Sequence, residues 1–173
     1  MVGFDGWASS LRLTGKRVDL EPLRIEHADE MGPLLDDPEL HSFIGGRPPT
    51  PEELRDRYER QVLGRSPDGS QRWLNWVVRR RDNGQAVGTV QATVSDQDGK
   101  MTAEIAWVIV TSQQGHGYAR EAAQVMTGWL WDQGAEVVIA HVHPQHAASM
   151  AVARAVGLTP TDAVLDGEVR WQK

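Results

Sequence analysis

Polarity alternates along residues 17–23, RVDLEPL, with the period of a half-buried strand. Residues 27–36 read as a short helix interrupted by Gly32-Pro33. GGRPP at 45–49 reads as a loop. Thr50 then suits an N-cap, with Pro51 at the first helical position and Glu53 placed to close a capping box. That helix runs through EELRDRYERQVL and stops at Gly64, and SPDG at 66–69 is a turn. Three strands follow. WLNWVVRRR leads into the hairpin signal Asp82-Asn83-Gly84, AVGTVQATV into the turn SDQDG, and KMTAEIAWVIV completes an antiparallel meander. From Tyr118 the period changes. Small or apolar positions 119, 122, 123, 126 and 130 fall at helical spacing, and the helix ends near Gly134. VVIAHV is a short buried strand, and HAASMAVARAV a helix with Gly157 as C-cap. Two strands flank the hairpin signal Asp166-Gly167. The order is strand, two helices, three strands, helix, strand, helix, two strands. It implies one α+β domain over residues 1–173 with a mixed, mainly antiparallel sheet and no repeat or linker. The first ten residues are expected to be loosely ordered.

The junction QQGHGYA, residues 113–119, lies between the last meander strand and the long helix. Amides at a helix N-terminus lack partners within the helix and carry partial positive charge, so they can seat a phosphate. Gly115 and Gly117 let backbone approach an anion closely. A P-loop would need Gly-x-x-x-x-Gly-Lys-Ser/Thr, which the chain lacks. A dinucleotide fingerprint would need glycine or alanine at 120, where Arg120 stands. Read alone, the turn is either an anion seat or a plain strand-to-helix connection.

Composition narrows the chemistry. The chain has 173 residues, enough for a full core. Having no cysteine, it can form neither disulfides nor thiolate metal sites and has no cysteine nucleophile. A net charge of −6 disfavours nucleic acid and suits a cationic partner, unless it serves only solubility. No apolar run reaches the roughly 18 residues of a membrane span. The start, MVGFDGWASSLRLTGKR, does not read as a signal peptide, so the cytoplasm is the expected location.

QGHGYA resembles the Gln/Arg-x-x-Gly-x-Gly/Ala motif of the GCN5-related N-acetyltransferases (GNAT). AWVIVTSQQGHGYAREAA is similar to their RimJ/RimL-like branch, with its Gly-Tyr-Ala-x-Glu-Ala core at 117–122. HVHPQHAASMAVARAVGL resembles the branch's Asn-x-x-Ser signature and following helix, and LTGKRVDLEPLRIEHADEM its opening strand and helix. The resemblance runs over roughly residues 11 to 171. It implies a GNAT-type fold, with a six- to seven-stranded sheet and about four helices packed on both faces. It also implies acetyl-CoA as co-substrate, with no metal. The amides of Gly115, His116, Gly117, Tyr118, Ala119 and Arg120 would hold the pyrophosphate of coenzyme A. The edge of Val108, Ile109 and Val110 would pair with the pantetheine arm. Three positions depart from the pattern. His146 replaces an Asn and can still donate a hydrogen bond; it is either a cofactor contact or a surface histidine. Thr111 stands where proline is common, and Leu158 replaces Phe.

The implied reaction is acyl transfer, most simply of acetyl, to a primary amine: a peptide N-terminus or a small cationic amine such as an aminoglycoside or polyamine. An alkyl ammonium, with a pKa near 10, must lose a proton before attack. The resemblance makes Glu104 the base; otherwise it is a solvent-facing residue paired with an arginine of the adjacent strand. A backbone N–H of Val108 or Ile109 would face the oxyanion. The tyrosine that many members use to protonate the leaving thiolate is Ala153 here. The branch implies Ser149 instead, which can equally serve only to start its helix. The missing cysteine favours direct attack in a ternary complex. His141, His143 and His146 invite a metal reading, which Pro144 and the lack of an acidic neighbour oppose. Trp129 and Trp131 read as core or partner surface, and one of Trp73, Trp76 and Trp107 as a pocket wall. The acceptor pocket would be built by residues 27–66 and the tail. No nucleic acid or membrane partner is expected, and a homodimer stays open. Two other readings are a coenzyme-A-binding module without catalysis and a scaffold that binds no nucleotide.

Overall fold

The computed structural model describes residues 11–42 and 46–173. The expectation for residues 1–10 and the Gly45 end of the GGRPP loop lie outside them. Eight strands form one sheet: β1 (Leu13–Thr14), β2 (Val18–Pro22), β3 (Gln71–Arg80), β4 (Ala86–Gln97), β5 (Lys100–Ile109), β6 (Val137–Val142), β7 (Thr159–Leu165) and β8 (Glu168–Gln172). Their spatial order is β1-β2-β3-β4-β5-β6-β8-β7. All neighbours are antiparallel except β5 and β6, which run parallel. The α-helices are α1 (His27–Leu35), α2 (Pro51–Gln61), α3 (Tyr118–Gln133) and α4 (Ala147–Ala155). The class is as expected, with one strand more than the upper count. The added strand is β1, whose two residues are too few to show a period.

Local signals explain most boundaries. Thr50 Oγ1 accepts from the Glu53 amide and Glu53 returns the bond to Thr50 N, so the capping box forms. Gly134, at φ 110°, ends α3 by donating to Leu130 and Trp131 carbonyls. The SDQDG stretch is a correction. β4 continues to Gln97, paired with Lys100, and the turn is only Asp98-Gly99, both at positive φ. This is the geometry of a type I′ hairpin, which an Asp-Gly pair favours.

The helices cover both faces. Leu74, Trp76 and Val78 point to α3, with Met126 and Leu130, in the main core. Val77, one step out of phase, packs with Met31 of α1 and with Leu54 and Tyr58 of α2. Trp129 meets Trp76 edge-on at 5.7 Å, and Trp131 lies under the Lys173 ammonium at 5.8 Å. No helix among the described residues is long and apolar enough to cross a membrane.

One ionic knot fixes α1 to the sheet. Buried Glu21 of β2 receives Arg24 at 2.8 Å and Arg79 at 2.7 Å, and its Oε1 lies 3.1 Å from Nε2 of buried His27. Arg79 also grips both oxygens of Glu30 at 2.9 Å. Burial alone would raise the pKa of Glu21, but hydrogen bonds from Arg79 and His27 outweigh it and pull the value to about 2 from 4.5. A depressed folded-state pKa contributes stability above the unfolded value, and that stability is lost as pH falls through the folded one.

Two predictions follow from this packing. Urea unfolding should show stability falling by about 2 kcal/mol between pH 4.5 and 2, and Glu21→Gln should flatten that slope. The second concerns Gly88, opposite Ile109, where any Cβ would collide with the Val108 carbonyl oxygen. Gly88→Ala should cost at least about 2 kcal/mol in the same assay.

Candidate active site

β5 and β6 share only three register positions: Thr102 with Val137, Ala103 with Val138 and Glu104 with Ile139. Beyond Glu104 they part, while β6 continues to Val142 on its other side against β8. Trp107 and α4 lie at the opening, where the Trp107 indole N–H donates to Ser149 Oγ at 3.3 Å. The backbone of β5 alternates in the direction it faces. Glu136 N donates to the Met101 carbonyl on the β6 side, and Val110 N donates to Val87 on the β4 side. Ile105, Trp107 and Ile109 therefore turn their backbone groups toward the gap, and Val108 and Val110 turn theirs toward β4. The Ile109 carbonyl accepts from Gln114 Nε2 at 2.8 Å.

The glycine turn stands at the end of this gap. Gly115 and Gly117 have φ of 82° and 80°, the left-handed region that favours glycine. Gly117 is the N-cap of α3, and the first amide to bond within the helix is that of Glu121, to the Gly117 carbonyl. By helix geometry the amides of Tyr118, Ala119 and Arg120 have no such partner. His116 contributes its carbonyl, which accepts from Arg17 at 2.8 Å. Glu121 completes the clamp: its carboxylate accepts from the Arg17 side chain and from the Arg17 and Val18 amides, at 2.8–3.1 Å. Arg17 and Arg80 both stack on the Tyr118 ring, at 5.1 and 5.7 Å. The turn is held open-faced by side chains that sequence reading left without a role. Glu121 lay inside the quoted motif, but its partner is more than 100 positions away.

At the other end of the gap, Glu104 is exposed and its Oε1 lies 2.9 Å from His141 Nδ1. The expected alternative partner, an arginine of the adjacent strand, is not its partner here. Among the described residues, none of the histidines groups with others into a metal-binding cluster. His146 caps α4 by position but makes no side-chain cap bond, and its Nε2 lies 3.5 Å from Ser149 Oγ. Burial, with a smaller contribution from His143, lowers the His146 pKa, which favours the neutral ring. Ala153 is fully buried. Thr111 donates to Asp37 at 2.6 Å and so ties the end of β5 to the turn after α1.

A cavity of about 170 Å³ opens on the α1–α2 face of the sheet, bounded by Leu23, Leu35, Tyr58, Trp76 and residues 106–108. Trp76 and Trp107 border it from β3 and β5, and residues of the segment 27–66 form its helical side. The tail does not line it, because β7 and β8 lie beyond β6.

Comparison with known proteins agrees with this architecture. The S5-alanine ribosomal-protein acetyltransferase of Vibrio fischeri superposes with a TM-score of 0.74 at 16% identity, covering 95% of this chain and 96% of that one. RimL, the ribosomal L7/L12 alpha-N-protein acetyltransferase solved with coenzyme A, gives 0.71 at 16%, covering 94% and 97%. The microcin C7 self-immunity acetyltransferase MccE, solved with acetyl-CoA and AMP, gives 0.73 at 14%, covering 91% and 92%. Among curated proteins none matches the sequence. The family model for the acetyltransferase (GNAT) domain matches residues 17–159. Sequence match, sheet order and glycine turn agree, and the chain belongs to the acetyltransferase (GNAT) family, enzymes whose acyl donor is acetyl-CoA.

Proposed function

We propose that this protein transfers an acetyl group from acetyl-CoA to a primary amine, by direct attack of the amine in a ternary complex. The observation that carries this reading is the single gap between β5 and β6, with an open-faced glycine turn at one end and a carboxylate at the other. The ribosomal-protein acetyltransferases among the structural neighbours support the same branch that the motifs resemble.

Acetyl-CoA supplies an activated thioester, and this chain's residues do the rest. The amides of 115–120 fit a pyrophosphate: two left-handed glycines and a helix N-terminus converge, and a Cβ at 115 would meet open space. Ile109 faces the gap with the backbone groups that a pantetheine amide would pair with. Its N–H and that of Trp107 are the donors placed for an oxygen gaining charge. Glu104 takes the ammonium proton, with His141 fixing one carboxylate oxygen and leaving the other free. The amine nitrogen bonds to the acyl carbon, the carbon–sulfur bond breaks, and the sulfur leaves with the electron pair.

Ser149 suits the return of a proton to that sulfur. An indole N–H can only donate, so Ser149 Oγ is an acceptor toward Trp107 and keeps its own hydrogen for another partner. Neutral His146 stands behind it. The reading as a binding module without turnover has one observation in favour, the burial of Ala153 where many members carry a tyrosine.

Glu104→Gln should lower kcat by at least about 100-fold while leaving acetyl-CoA affinity within a few-fold; an unchanged kcat would remove Glu104 from the chemistry. Gly117→Glu should abolish acetyl-CoA binding in a calorimetric titration with the circular dichroism spectrum intact. Binding by that variant would make the turn a mere connection.

A further inference from the structure

The cavity beside the gap carries information on the acceptor. Its floor reaches Ala106, Trp107 and Val108 of β5, so a ligand seated there presents one end to the gap. Its apolar walls come from Leu23, Leu35 and Leu40. Its polar lining consists of Arg57, His41, Gln61, Asn75, Thr89 and Gln91, with no carboxylate among the described residues. A second depression of about 240 Å³ continues from it, sharing Arg57, Gln61, Asn75 and Gln91 and adding Arg60 and Thr93. Thr93 is the register partner of Glu104, so the candidate base flanks this groove.

The cations of the groove are uncommitted. Arg57 and Arg60 are exposed on α2 and form no ion pair among the described residues, whereas Arg55 of the same helix leans on Glu59. Tyr58 adds a second donor. It is almost fully buried in the cavity wall, and its hydroxyl has no hydrogen-bond partner among the described residues. Burial raises its pKa to about 12, which keeps the hydroxyl protonated and able to donate. A buried polar group left unpaired costs about 1–3 kcal/mol. A polycation would instead meet two guanidinium groups without a carboxylate in the lining to balance them.

We infer that the amine acceptor also carries an apolar group and an anionic group, the apolar part seated against Leu23, Leu35 and Leu40 and the anion held by Arg57, with Arg60 beside it. This rests on the acetyl-transfer reading and narrows its substrate class. A free α-amino acid has this chemistry, and so does a peptide N-terminus followed by an acidic residue. The net charge of −6, which by itself suits a cationic acceptor, belongs to the whole surface and not to this groove.

The test uses the full chain with acetyl-CoA and four acceptors: phenylalanine, phenylalaninamide, phenylalanyl-aspartate and spermidine. Coenzyme A release gives kcat/KM, and calorimetry in the presence of coenzyme A gives acceptor affinity. Phenylalanine or phenylalanyl-aspartate should exceed phenylalaninamide by at least about 10-fold, and Arg57→Gln should bring that ratio close to one while Arg57→Lys keeps part of it. Which anionic probe is preferred separates the free amino acid from the acidic peptide. Equal use of acid and amide, preference for spermidine, or an unchanged ratio in Arg57→Gln would overturn the inference while leaving acetyl transfer intact. If no acceptor turns over, the binding ratios decide in the same way. Failure of the parent to bind acetyl-CoA would overturn the function itself and this inference with it.

Discussion

Two parallel strands that stop pairing after three residues create everything else in the site. A strand edge inside a sheet cannot keep its amides and carbonyls unsatisfied without cost. A side chain meets part of that demand here. Gln114 Nε2 returns to the Ile109 carbonyl. The remainder is a slot lined by backbone groups on one strand, the complement an extended amide-bearing chain requires. The rest of the sheet holds the parting open. β6 continues against β8 on its other edge through Val142, which holds it in the sheet past the point where β5 leaves it. β5 is held against β4 by the close approach of the Val108 carbonyl to Gly88, which admits no side chain there.

The glycine turn is held just as firmly, by charge. Arg17 and Glu121 connect the start of β2 to the first turn of α3, and the Arg17 guanidinium also takes the His116 carbonyl. Glu121 sits in the first turn, where a carboxylate is stabilised by the helix dipole, and its own pKa is lowered: burial opposes this, but the Arg17 and Val18 bonds prevail. The anchoring acid points back to β2, so the outer amides keep their open side. An arginine–glutamate clamp and two left-handed glycines thus divide the task, one fixing position and the other allowing approach.

Local chemistry was legible in the sequence, and long-range pairing was not. The capping box at Thr50, the Asp-Gly hairpins and the Gly134 stop depend on residues within a few positions of one another, and all three formed. The turn after β4 was read too long because Ser95, Asp96 and Gln97 look like loop residues, yet cross-strand pairing with Lys100 to Thr102 keeps them in the strand. The family motifs located the glycine turn. They could not say that Glu104 faces His141, because that depends on the register between parallel β5 and β6, strands whose partners lie more than 30 positions apart in sequence. In the sequence, His141 offers only a metal-ligand reading. The tail was assigned to the acceptor pocket, but its strands end up on the far side of β6.

The acceptor face shows why whole-chain charge is a weak guide to a pocket. Carboxylates outnumber basic side chains by 24 to 18 over the sequence. Several of those carboxylates are already bound to arginines outside the groove: Glu21 and Glu30 to Arg79, Asp19 to Arg12, Glu121 to Arg17. Such pairs neutralise one another locally, and their fields fade within about 10 Å in salt. The groove is governed by the charges beside it, which among the described residues are Arg57 and Arg60, without ion pairs of their own, and Glu104, held on one oxygen by His141. Glu104 and the two arginines therefore border one groove with opposite charges. A molecule that carries both an amine and an anion can answer both, the nitrogen beside the base and the anion beside Arg57.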